Sequence, residues 1–65
     1  MPVIEVTLGT GRSPEQLRAL ITALTEAAMA AIDAPKPSIR VILREVPRTH
    51  FAAGDQTLAE RDSNG

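Results

Sequence analysis

Residues 3–17 read VIEVTLGTGRSPEQL, and the change of period inside this stretch decides the fold. Up to Leu8 the chain alternates: Ile4, Val6 and Leu8 share one face, while Glu5 and Thr7 share the other with Val3. Gly9, Thr10 and Gly11 break the strand. Ser13 then supplies an N-cap, and Pro14 suits the first helical position, where a missing N–H costs nothing. Gln16 stands three residues after the cap, as a capping box requires, and Glu15 puts negative charge near the positive end of the helix dipole. A strand over 3–8 and a helix opening at Ser13 are the expectation.

The pattern extends outward from there. Leu17, Leu20, Ile21, Leu24, Ala28, Ala31 and Ile32 recur close to a 3.6-residue period. The alanines at 27, 28, 30 and 31 favour helix and permit close packing. Asp33-Ala34-Pro35-Lys36-Pro37 ends it, because proline cannot continue a helix and restricts the residue before it. A second strand is expected over 39–45, with Ile39, Val41 and Leu43 on one face and Arg40, Ile42 and Arg44 on the other. Pro47 and Ala52 to Asp55 suggest a turn and a short hairpin, and Glu60 to Gly65 reads as a frayed polar tail. Strand, helix, strand in this order implies a right-handed βαβ unit with parallel strands. The fold class is α+β, in a single domain spanning residues 1–65.

Size and topology both call for partners. A domain of about 60 residues buries only roughly 60% of the surface its unfolded chain exposes. Small chains compensate with disulfides, a metal or further subunits. The chain has no cysteine, which rules out disulfides and thiolate metal sites, and its one histidine, His50, cannot assemble a zinc site unless several carboxylates converge on it. Hydrophobic residues make up 43%, yet Phe51 is the one aromatic. Two strands alone make an unstable sheet with open edges, and the face away from the helix carries Val3 and Ile42. An oligomer is expected.

Composition also narrows function. The net charge is −1 and Lys36 is the single lysine, so a nucleic-acid partner, which needs clustered cations, is not expected. No apolar run approaches the roughly 20 residues of a membrane span, and the start lacks the regions of a signal peptide. A cytoplasmic protein without a membrane partner follows. Cysteine nucleophiles, paired histidines, a P-loop and a dinucleotide-binding glycine pattern are all missing.

Three features carry potential chemistry. Removal of Met1 would expose Pro2 as a secondary amine; apolar and cationic neighbours would disfavour its charged form and tune it as a base near neutral pH. Arg12, in the loop before the helix, and Arg40, on the second strand, suit the two ends of a dicarboxylate, since arginine forks onto carboxylates. His50-Phe51 pairs a titratable ring with the chain's only large aromatic. Taken singly, each also suits an ordinary surface or core residue, and Arg18, Arg44, Arg48 and Arg61 are read as solvated.

Together these residues resemble the 4-oxalocrotonate tautomerase family. The likeness runs through Pro2, Gly11-Arg12-Ser13 with Glu15-Gln16, Asp33-Ala34-Pro35, Ser38-Ile39-Arg40-Val41-Ile42 and His50-Phe51, covering residues 2 to about 55 without a gap. It implies a βαβ subunit with a short carboxy-terminal hairpin, paired into a four-stranded sheet with two helices, three such dimers forming a hexamer. It implies a cofactor-free isomerase that shuttles a proton between oxygen and carbon of an unsaturated 2-hydroxy acid, typically 2-hydroxymuconate from catechol meta-cleavage. By the same resemblance Pro2 is the general base and then the acid. Arg40 grips the carboxylate and 2-oxygen end, Arg12 binds the distal carboxylate, and Phe51 walls the site; these need not come from one chain. Gly9 stands where the family often has a larger apolar residue, which implies a wider pocket or a looser loop. Ala52-Ala53-Gly54-Asp55 replaces the family's Gly-Ile-Gly-Gly. Two other functions stay open: proline-dependent hydration, dehalogenation or biosynthetic isomerisation of another unsaturated acid, and a non-catalytic subunit of a mixed hexamer. The first of these needs a second acid–base residue to activate water; the sequence offers no clear candidate, with Glu5 and His50 left open.

Overall fold

A computed structural model describes residues 2–64; the expected loss of Met1 concerns a residue outside them, as does Gly65. The order of elements is β1 (Val3–Gly9), α1 (Pro14–Ile32), β2 (Arg40–Val46), β3 (Ala52–Ala53), β4 (Gln56–Thr57) and α2 (Leu58–Asn64), with single 3-10 turns at Lys36–Ser38 and Arg48–His50. β1 and β2 pair in parallel from Val3 opposite Arg40 to Gly9 opposite Val46. The α+β class and the βαβ core expected from the sequence are therefore present.

Helix α1 starts as its residues dictate. The Ser13 hydroxyl accepts from the Gln16 N–H at 3.1 Å, and the Gln16 side chain accepts from the Ser13 N–H at 2.9 Å. At the other end Asp33 turns left-handed at φ 55° and donates its N–H to the Met29 carbonyl. Leu17, Leu20, Ile21, Leu24 and Ala28 are half-buried toward the sheet, but Ala31 and Ile32, expected on the same stripe, are exposed. Length explains the difference. Nineteen helical residues span about 28 Å, whereas a seven-residue strand spans about 23 Å, so the last helical turn overshoots the sheet.

β2 begins one residue later than the expected 39–45. Ile39 donates its N–H back to the Lys36 carbonyl, closing the 3-10 turn, and pairing starts at Arg40, whose N–H reaches the Pro2 carbonyl at 3.0 Å. The hairpin is minimal: Ala53 pairs with Gln56 around Gly54-Asp55, both at positive φ (59° and 65°), which gives the tight reversal that antiparallel strands favour.

The stretch expected as a frayed polar tail from Glu60 is helical through Asn64. Thr57 and Glu60 repeat the capping box: the Glu60 N–H donates to the Thr57 hydroxyl at 3.0 Å, and the Thr57 N–H donates to the Glu60 carboxylate at 2.8 Å. Arg48 then anchors the helix through Asp62, with Nε to Oδ2 at 2.6 Å and Nη2 to Oδ1 at 3.1 Å.

Among the described residues none is buried by the subunit alone. On the sheet face away from α1, Val3 is 53% and Ile42 40% exposed, flanking an ion pair between Glu5 and Arg44 at 3.5 Å. The radius of gyration is 14.8 Å, against about 11 Å for a compact chain of this length. The described residues of one chain enclose no buried core.

Candidate active site

Parallel pairing sorts the sequence-predicted residues by end. Pro2 precedes β1 and Arg40 opens β2, so both sit at the amino-terminal edge of the sheet, joined by the hydrogen bond from the Arg40 N–H to the Pro2 carbonyl. Pro2 is half-buried and Arg40 exposed. The Arg40 guanidinium folds back to donate to the Ser38 carbonyl at 3.2 Å, which leaves most of its donors open.

Arg12 lies beyond the carboxyl end of β1, and Phe51 beyond that of β2. They are at the opposite edge, separated from Pro2 by seven strand residues, or about 23 Å. Arg12 is exposed and Phe51 half-buried. No side chain bridges that distance, so one chain brings Pro2 together with Arg40 and leaves Arg12 and Phe51 apart from them. Two concavities lie elsewhere among the described residues. One, of about 110 Å³, is lined by Arg18, Ile21, Thr22, Thr25, Glu26 and Lys36; the other is an open surface by Asp55, Gln56, Ala59, Glu60 and Ser63. None of the four residues lines either.

The loop that carries Arg12 is closely held. The Thr10 N–H donates to the Val46 carbonyl at 3.0 Å, and the Thr10 carbonyl accepts from Arg48 Nη1 at 3.2 Å. Gly11 follows at φ 129°, a conformation side chains rarely adopt, and Ser13 is fixed by its capping box. Gly9 is a place of close approach: a Cβ there would stand 2.7 Å from Leu58 Cδ1 and 3.1 Å from Arg48 Nη1. The space that a larger residue at 9 would take is thus filled by Leu58 of α2 and by Arg48 of the preceding turn.

Arg48 was not among the residues singled out by sequence, yet it joins the Arg12 loop to α2. Its hydrogen bonds to Asp62, reinforced by charge, hold the Asp62 carboxyl below its ordinary pKa and raise that of Arg48. The signal that could have found it is the Thr57-x-x-Glu60 pattern, which announces a helix carrying Asp62 opposite Arg48. His50 is exposed in the turn before Phe51, and Arg44 pairs with Glu5 in mid-sheet, away from both ends.

Comparison with known proteins places the chain by family and fold. The family model described as "Tautomerase enzyme" matches residues 2–61. A probable tautomerase of Ralstonia nicotianae is 53% identical over 51 residues, covering 78% of this chain and 73% of that protein. The 2-hydroxymuconate tautomerase of Stutzerimonas stutzeri is 40% identical over 57 residues, covering 88% of this chain and 90% of that protein. A solved chain of the heterohexameric 4-oxalocrotonate tautomerase of Chloroflexus aurantiacus superposes with a TM-score of 0.88 at 43% identity, covering 92% of this chain and 97% of that one. The chain belongs to the tautomerase family of isomerases.

Proposed function

We propose that this chain is a 2-hydroxymuconate-type tautomerase that uses Pro2, freed by removal of Met1, as its proton carrier. The observation that carries the reading is the pairing of Pro2 with Arg40 at one sheet edge, held by the Arg40 N–H on the Pro2 carbonyl. The Pro2 nitrogen takes the proton from the 2-hydroxyl of the dienol. Negative charge grows on that oxygen, and Arg40 meets it with donors already in place. The electron pair shifts along the diene, and Pro2 returns the proton to the far carbon, leaving the conjugated 2-oxo acid. Arg12 holds the distal carboxylate and Phe51 keeps water from the proline. No cofactor takes part.

Because Arg12 and Phe51 lie about 23 Å from Pro2 along the strand, they serve the Pro2 of another subunit. Assembly is therefore part of the site. Copies of this chain pair through their sheets and build a hexamer from three dimers, covering the Val3 and Ile42 face. The reading takes the chain as a cytoplasmic enzyme of aromatic catabolism; among the described residues no helix is long and apolar enough to cross a membrane. A mixed hexamer with a second, related chain is the other assembly to weigh, because the Chloroflexus aurantiacus relative is a heterohexamer.

The test is ultraviolet conversion of 2-hydroxymuconate by protein whose intact mass lacks Met1, with Pro2→Ala alongside and native mass measured on the same sample. Rapid conversion by a hexamer, abolished in the variant, supports the reading. No conversion by processed hexamer would sink this substrate. Failure of the chain to assemble alone would favour the mixed hexamer.

A further inference from the structure

Arg48 spends every part of its guanidinium on two segments distant in sequence. Nε and Nη2 fork onto Asp62 of α2 at 2.6 and 3.1 Å, and Nη1 reaches the Thr10 carbonyl at 3.2 Å. That carbonyl lies two residues before Arg12. The Thr10 N–H is held by Val46, and beyond Arg12 the helix is fixed by the Ser13–Gln16 box. Between these anchors lie Gly11, at φ 129°, and Arg12 itself. Leu58 packs over Gly9 from the same helix, so α2 touches the loop both through its apolar side and through the arginine.

We propose that Arg48, oriented by Asp62, is a positioning residue that sets Arg12 for the distal carboxylate of the substrate. The proposal rests on the role given to Arg12 above. A planar fork suits the task better than an ammonium, because it can serve a carboxylate and a carbonyl at once in fixed geometry. An anchored loop presents Arg12 without ordering it anew at each encounter, and small misplacements of such a group are costly. The neighbouring turn Arg48–His50 also leads directly into Phe51, so the same residue stands at the root of both groups that one subunit lends to another.

The experiment compares the diacid 2-hydroxymuconate with a 2-hydroxydienoate lacking the distal carboxylate, on the assembled enzyme. Arg48→Ala is expected to raise KM for the diacid by roughly ten- to a hundredfold, with kcat little changed and the monoacid barely affected. Added to Arg12→Ala it should cause no further loss, since the residue it positions is gone. Arg48→Lys, which keeps charge but not the fork, should restore part of the diacid KM, and Asp62→Asn should err in the same direction as Arg48→Ala. Amide exchange at Thr10 should quicken in both Arg48→Ala and Asp62→Asn. Equal losses on both substrates, or additivity with Arg12→Ala, would overturn the proposal while leaving the role of Arg12 intact. Arg12→Ala that fails to distinguish diacid from monoacid would remove the role of Arg12 itself, and this proposal with it. If Arg48→Ala does not assemble, Arg48→Lys and Asp62→Asn decide by the same substrate comparison.

Discussion

Gly9 shows how a single missing side chain is answered elsewhere in the sequence. The Leu58 methyl group stands where a Cβ at 9 would press to 2.7 Å, and Arg48 Nη1 closes the other side at 3.1 Å. Both neighbours are ends of flexible side chains, so a new residue displaces them rather than the backbone. Gly9→Val is expected to destabilise by about 1–3 kcal/mol through overpacking. Leu58→Ala in the same chain should recover part of that loss, giving a coupling of about 0.5–3 kcal/mol in a double-mutant cycle. Thermal unfolding of the four proteins measures it, and strict additivity would mean that Leu58 does not occupy this space. Substrate contact enters only through the loop, so this cycle probes packing independently of catalysis.

The two helices differ in how openly the sequence declares them. For α1, Ser13, Pro14, Gln16 and a 3.6-residue apolar stripe all agree, and the structure follows them to the cap at Asp33. For α2, residues 58–64 are mostly polar and carry no stripe long enough to register, so composition reads as a tail. Its order comes from Thr57 and Glu60 locally and from Arg48, fourteen positions before Asp62, which no window over consecutive residues connects. The site divides the same way. Pro2, Arg12, Arg40 and Phe51 are proposed through their combined resemblance to a family pattern, whereas Arg48 is not, because its contacts depend on a partner whose helix the sequence hides. Ser13→Ala should lower stability by about 0.5–2 kcal/mol, read as a drop in Tm. The α2 anchor has its own signature in acid. The Arg48 hydrogen bond is the main cause of the lowered Asp62 pKa; burial opposes it, and the charges of Arg48 and Arg61 add smaller lowering effects. A depressed carboxyl stabilises the folded state above its unfolded value, about 3.9, and that contribution disappears as pH falls through the lower folded value. The Arg48 side-chain N–H resonance should therefore stay shifted to below about pH 4 and then move. Asp62→Asn should show no such transition; a wild-type midpoint at or above the ordinary carboxyl value would contradict the anchor.

At the scale of the whole molecule the decisive fact is what one subunit lacks. Helix α1 covers one sheet face only, no described residue is buried, and the residues assigned to one active site stand at opposite ends of the strands. In the proposed assembly, a second copy completes the core and the site in the same event. Ile42 tests this because it is 40% exposed in the subunit and lies beside the Glu5–Arg44 pair. In an isolated subunit Ile42→Asp sets a carboxylate in water at little cost. In an assembly that covers the face it would bury that charge without a partner, a penalty several times the stability of an ordinary contact. The expected outcome is a smaller native mass and a Tm that rises with protein concentration. Tautomerase activity should fall in step with assembly, because Arg12 no longer reaches the Pro2 of another chain. Size-exclusion with mass analysis and an assay on the same fractions would check both. An Ile42→Asp protein of unchanged mass would place the subunit contacts elsewhere. One that came apart but kept full activity would mean that a single chain completes its own site, against the geometry of its strands.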